Sequence, residues 1–178
     1  MAIIDLQDNL EEIVILRAAF PSQHLLLIKM DVANQKGMEA TYEEIVKTFG
    51  QLDIVVNVAG LFNDQDIQRT LSVNLGGMMN STLNAMKIMS IEHGGKGGII
   101  CNMSSVVGLD PMFLVPIYAA TKAGIINFTR CLGVSIFFLT IKHFTEHRNK
   151  MLFLIFYRKI FTINAVVLNL LPSVLAPP

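Results

Sequence analysis

The sequence predicts an α/β chain built on a doubly wound parallel sheet, with helices on both faces. Short apolar runs alternate with longer stretches of helical period. The joints between them are short. Several apolar runs end in polar or small residues rather than alternating polar and apolar along their length, as strands covered on both faces do.

The elements follow in order. "AIID" (2–5) is a short apolar run ending in an acid and reads as the end of a buried strand. "NLEEIVILRAAF" (9–20) spaces its apolar residues as a helix does and puts Glu11 and Glu12 in the first turn, where the helix dipole favours acids. "HLLLIKMDV" (24–32) is a second strand ending in an acid. "QKGMEATYEEIVKTFG" (35–50) is an amphipathic helix stopped by Gly50. "LDIVVNVAG" (52–60) is a β-branched strand closed by Gly60. Residues 66–95 read as one long helix that tolerates Gly76 and Gly77 and ends at a glycine pair. "GGIICNMSS" (97–105) is the next strand, and "VPIYAATKAGIINFTRCLG" (115–133) a helix closed by Gly133.

Composition narrows the function classes. The chain has 178 residues, 52% hydrophobic and 16% charged, which suits one well-buried domain. The formal net charge is zero, so no basic field points to nucleic acid. Cys101 and Cys131 have neither CxxC spacing nor a metal-ligand cluster around them, which fits a reduced, cytoplasmic compartment and no metal. The N-terminus lacks the basic start and sustained apolar stretch of a signal peptide. Composition changes sharply at Gly133. Before it stand nine Lys or Arg against thirteen Asp or Glu; from Val134 the balance is five against one, with no glycine and six of the eleven phenylalanines. Residues 1–133 therefore read as one unit and 134–178 as a divergent hydrophobic tail. A membrane span over 151–171 is disfavoured, because Arg158 and Lys159 fall inside it at about 2.5–3.5 kcal/mol each near the bilayer centre.

The chemistry concentrates in a few positions. Tyr118 and Lys122 lie one helical turn apart on the same face. A phenol titrates near 10, and a neighbouring cation is expected to lower that and make the pair a general acid/base. Ser105 ends a strand thirteen residues earlier, where its hydroxyl can hold a substrate oxygen; Ser104 is the competing choice. Asn74 sits inside the long helix beside Gly76 and Gly77 and marks a local irregularity there, offering a carbonyl, an amide or a bound water. Asp5, Asp31, Asn57 to Gly60 and Ser105 all stand at expected strand ends, the edge where such sheets bind ligands.

"NVAG", "SVNLGG", "NMSS" and "YAATK", in this order and at these spacings, resemble the short-chain dehydrogenase/reductase family. "GGIICNMSSVVG" followed by "VPIYAATKAGIINFTR" is most similar to its insect alcohol dehydrogenase branch, with the 15-hydroxyprostaglandin dehydrogenase branch second. The resemblance covers roughly residues 1–133. It implies a Rossmann-like fold and hydride transfer between NAD and a small secondary alcohol or its ketone. The family's catalytic serine falls on Ser105, its tyrosine on Tyr118, its lysine on Lys122 and its relay asparagine on Asn74. Tyr118 and Lys122 also border the nicotinamide ribose. Asp5 matches the acid that holds the adenosine ribose and favours NAD over NADP, since a carboxylate accepts from a 2′-hydroxyl and repels a 2′-phosphate. Asp31 and Val32 match the adenine-edge contact, and Asn57, Ala59 and Gly60 the segment beside the adenosine ribose. The family's habit of dimerising implies a homo-oligomer through the helices at 66–93 and 116–132.

The sequence departs from the family pattern in three places. No glycine precedes Gly37, so the first strand and the glycine-rich pyrophosphate turn are missing, which leaves strand edges exposed in the middle of the sheet. Val58 replaces a residue that is usually Asn or Gly. After Gly133 only "INAVVLNLLPS" faintly echoes the expected strand and turn. A second reading follows: a chain that keeps the catalytic constellation but does not hold the cofactor.

Overall fold

The computed structural model describes residues 1–7, 10–19, 25–110, 112–138, 142–143, 153–157 and 165–168. Strands β1 (Ala2–Asp5), β2 (Leu26–Lys29), β3 (Ile54–Asn57) and β4 (Ile99–Met103) alternate with helices α1 (Leu10–Ala19), α2 (Gln35–Phe49), α3 (Ile67–Thr70), α4 (Met78–Met89) and α5 (Pro116–Phe138). Three short strands follow: β5 (Lys142–His143), β6 (Phe153–Tyr157) and β7 (Ala165–Leu168). The sheet order is β2-β1-β7-β3-β4-β6-β5. All neighbours from β2 to β4 are parallel, while β6 is antiparallel to β4 and β5 antiparallel to β6.

Local chemistry explains the helix ends. The Asn34 side chain accepts from the Gly37 N–H and starts α2. Gly50, at φ +78°, ends it in the left-handed conformation that a side chain would strain. The helix expected over 66–95 is less regular than its sequence period suggests. Residues Leu71–Gly77 form a π-helical stretch between α3 and α4, and α4 stops at Met89. Asn74 lies inside that stretch, so the irregularity expected at this residue is present. Gly133, expected to close α5, lies buried inside it, and the helix continues to Phe138.

The main core packs α2 and α4 against β1, β3 and β4, with Met38, Tyr42, Ile45, Val55 and Ala85 essentially inaccessible. The position beside β1, between it and β3, is filled. β7 pairs in parallel with β1 on one side (Ala2↔Val166, Ile4↔Leu168) and with β3 on the other (Ile54↔Ala165, Val56↔Val167). The exposed edges expected in the middle of the sheet are therefore absent. The "AVVL" run that gave only a faint strand signal supplies the missing ladder. The composition boundary at Gly133 falls inside α5, and strands beyond it join the same sheet. The rest of the tail, including 158–164 and 169–178, lies outside the described residues, as does most of the stretch weighed as a membrane segment. Among the described residues no helix is long and apolar enough to cross a membrane.

A proline cannot donate to a ladder with neighbours on both sides. Val167→Pro is expected to destabilise the fold by about 2–4 kcal/mol, read as a fall in the urea midpoint of unfolding. An unchanged midpoint would place this strand outside the stable sheet.

Candidate active site

The site forms where β3 and β4 end and α5 begins. β3 and β4 are held in register with Asn57 opposite Asn102. The two side chains meet in the interior, Asn57 Nδ2 donating to Asn102 Oδ1 at 2.8 Å and to Thr82 Oγ1 at 3.1 Å. Ser81 donates to Asn57 Oδ1 at 2.5 Å and is itself bonded to the Tyr42 hydroxyl at 2.7 Å. Asn102 Nδ2 donates to Thr129 on α5 at 3.1 Å. The Asn57 side chain is committed to a buried network joining α2, α4, β3, β4 and α5, and the backbone continues from it through Ala59 and Gly60.

The two serines after β4 divide the work. Ser104 is buried and donates to the Lys122 carbonyl at 2.8 Å, tying the strand end to α5. Ser105 lies near enough to the Tyr118 phenol for its hydroxyl to favour the phenolate. An added Cβ on Gly108, in the turn after Ser105, would lie 2.8 Å from the Lys122 carbonyl carbon, so this turn and α5 are in closest approach. On α5, Lys122 sits over the Tyr118 ring, its Nζ 5.5 Å from the centroid, and donates to the Met103 carbonyl at 3.0 Å. Phe62, in the loop after β3, meets the Tyr118 ring edge to face at 4.9 Å.

Asn74 reaches the same place from the π-helical stretch. It is fully buried; its Oδ1 accepts from Leu61 N at 2.6 Å, and its Nδ2 donates to Leu61 O at 2.9 Å and Thr121 Oγ1 at 3.2 Å. A Cβ on Gly60 would stand 3.4 Å from Asn74 Oδ1 and 3.7 Å from Lys122 Nζ. Gly60 is thus the bare surface between the two. The side-chain bonds of Asn74 go to Leu61 and Thr121 rather than to Lys122.

The electrostatics correct one expectation. Burial pushes the Tyr118 phenol above its ordinary value, only partly offset by the Ser105 hydrogen bond; no lowering by Lys122 enters. The ammonium lies over the Tyr118 ring and donates to the Met103 carbonyl, and burial drops Lys122 itself to about 8.

The remaining strand-end residues spread along the same edge. Asp5 ends β1, one carboxylate oxygen accepting from Gln7 N at 2.9 Å. After β2, Asp31 is already engaged: Oδ2 pairs with Arg69 Nη1 at 2.7 Å and Oδ1 accepts from Ala33 N at 2.9 Å. Burial pulls its carboxyl upward, but these bonds and the Arg69 charge together hold it below the usual value. Val32 is buried, with its side chain 2.9 Å from where a Cβ on Gly77 would lie, so it packs against the π-helical stretch. Sequence reasoning missed Phe62, Asp64 and Thr121. They lie in a loop and on a helix with no spacing pattern of their own, and only an acid at position 64 could have drawn notice.

Two outcomes test this geometry. A lysine with a depressed folded value takes up fewer protons than the unfolded chain between about pH 8 and 10.5, so stability should rise with pH across that window. Lys122 is expected to contribute about 1 kcal/mol of added stability between pH 7 and pH 9, and Lys122→Met should erase that slope in parallel denaturant titrations. Gly108→Ala should cost about 1–3 kcal/mol and part Ser105 from Tyr118; unchanged thermal melting would contradict the close approach.

The chain matches the short chain dehydrogenase family model over residues 2–137. It is 43% identical over 131 residues to mouse 15-hydroxyprostaglandin dehydrogenase [NAD(+)], covering 71% of this chain and 49% of that one. It is 31% identical over 131 residues to alcohol dehydrogenase 1 of Ceratitis capitata, covering 74% and 51%. Among solved structures, a short chain dehydrogenase from Mycobacterium smegmatis superposes with a TM-score of 0.65 at 29% identity, over 75% of this chain and 59% of that one. Levodione reductase superposes at 0.68 with 23% identity, over 75% and 55%, which shows the fold alone. The chain spans about half the length of the curated relatives it matches. With its parallel sheet and the serine, tyrosine and lysine gathered at the sheet's edge, the chain belongs to the short chain dehydrogenase family.

Proposed function

We propose that this chain is an NAD-dependent oxidoreductase that interconverts a small secondary alcohol and its ketone by hydride transfer. The observation that carries the reading is Lys122 over the Tyr118 ring, its Nζ 5.5 Å from the centroid, with the Ser105 hydroxyl beside the same phenol. The relatives named as an NAD(+) dehydrogenase and an alcohol dehydrogenase support it.

The chain's groups suit a dinucleotide along one edge. Asp5 at the end of β1 is half-exposed and keeps carboxylate lone pairs for ribose hydroxyls. Ala59 and Gly60 allow close backbone approach, and Asp31 with Val32 borders the far end. NAD, when bound, supplies the hydride acceptor. Ser105 holds the substrate oxygen, and Tyr118 takes the hydroxyl proton during oxidation and returns it during reduction. Lys122 steadies the charge that forms on the phenol face and borders the nicotinamide ribose. Asn74 fixes the loop at Leu61 and hands on to α5 through Thr121, which orders the path by which a proton leaves. The raised phenol means that Tyr118 rests protonated, so the chain by itself favours the acid role. A cytoplasmic setting and pairing of two copies through residues 66–93 and 116–132 belong to the same reading. Leu71 and Leu83 are exposed on that long helical segment and suit such pairing.

A second reading draws on one fact: residues 1–36 contain no glycine, and a glycine-rich turn is what would cradle a pyrophosphate. The chain would then keep the catalytic groups without holding the cofactor. NAD titration by calorimetry separates the two. Micromolar binding is expected for the enzyme, and no heat at millimolar NAD would favour the second reading. If binding occurs, Tyr118→Phe should lower turnover of a secondary alcohol by at least about 10²-fold while leaving the NAD affinity within about threefold.

A further inference from the structure

The carboxylate of Asp64, in the loop after β3, faces the start of α5. Its Oδ2 accepts from the Ile117 N–H at 2.6 Å and its Oδ1 from the Tyr118 N–H at 3.0 Å. α5 opens with Pro116, which has no N–H, so these are the first two amide donors of the helix. The same short loop is tied down elsewhere. Leu61 is bonded in both directions to Asn74, the Asn63 carbonyl accepts from the Thr70 hydroxyl, and Phe62 packs on the Tyr118 ring. One loop therefore grips Tyr118 at its backbone and at its ring.

We propose that Asp64 is a positioning residue for Tyr118: its carboxylate anchors the backbone of the reactive tyrosine and sets the electrostatic balance at the start of α5. This rests on Tyr118 being the proton-transfer group of the reading above. The free N–H groups of a helix start carry partial positive charge, which favours a nearby phenolate. The Asp64 charge cancels that benefit and also repels the phenolate directly. Asp64 thus fixes where Tyr118 sits and opposes its ionisation. Among the described residues, the groups that act on this phenol besides Asp64 include the Lys122 ammonium on its own helix and the neutral Ser105 hydroxyl after β4. Arg69, on the neighbouring helix α3, is engaged by Asp31.

Phenolate absorbance, titrated in the full chain and in its Tyr118→Phe counterpart, isolates Tyr118 by difference and needs neither cofactor nor turnover. A failed dehydrogenase reading therefore leaves this measurement intact. In Asp64→Asn the Tyr118 midpoint should fall by roughly 0.2–0.7 of a pH unit. Asp64→Glu, which keeps the charge, should restore most of it. Asp66→Asn makes the same charge change two residues away, at the cap of α3, and should leave the midpoint where it was. Tyr42 is the built-in folding control: it is fully buried and pushed far upward, so in a folded variant it stays silent while Tyr118 titrates. No shift or a rise in Asp64→Asn with Tyr42 silent overturns the proposal, as does an equal fall in Asp66→Asn. A Tyr42 that titrates near 10 in both Asp64 variants makes Asp64 a residue of folding alone and overturns it too.

Discussion

Asn57 and Asn102 face each other across β3 and β4, and the site depends on that pairing. Their register puts the ends of the two strands level. Ala59 and Gly60 then leave β3 at the height where Ser104 and Ser105 leave β4. A register slip of one residue would turn Asn57 and Asn102 toward the opposite face. The amides are buried where an unpaired polar group costs about 1–3 kcal/mol. Each is met by side chains from α4 or α5, and no buried side-chain polar atom among the described residues lacks a partner. A fully satisfied network of this kind is selective, since few other arrangements satisfy every member.

From that base, the candidate groups Ser105, Tyr118 and Lys122 are placed by contacts from several directions. Ser104 ties β4 to the Lys122 carbonyl, Asn74 ties the π-helical stretch to the loop at Leu61 and to Thr121, and Asp64 ties the loop to α5. The same enclosure that orders Tyr118 and Lys122 removes water from them. Burial therefore works against ionisation of both, raising the phenol and lowering the ammonium. Order and acidity pull in opposite directions here, and in the chain alone order prevails.

The sheet shows a related economy. A parallel sheet wants helices on both faces and neighbours on both sides of its central strands. β1 and β3 gain a shared neighbour from β7, which comes from the far end of the chain. The ladder bonds are backbone groups, so the slot accepts a strand for its conformation and direction rather than for its place in sequence.

The alternation of apolar runs and helical stretches determined the α/β class, the order of the four strands and the helical stretches between them up to α5, and the placing of Ser105 at a strand end with Tyr118 and Lys122 on the next helix, because these follow from local spacing. The stop at Gly50 was legible for the same reason: it acts within a few residues. Tertiary structure decided the rest. Val55 and Asn57 share the buried side of β3, but in a strand covered on both faces no alternation announces which way Asn57 points. Whether Ser104 or Ser105 stands beside Tyr118, and how Asp64 comes to cap α5, depend on segments 13 to 54 residues apart, brought together by packing. Burial sets the proton affinities, and burial belongs to the folded chain and not to any stretch of its sequence.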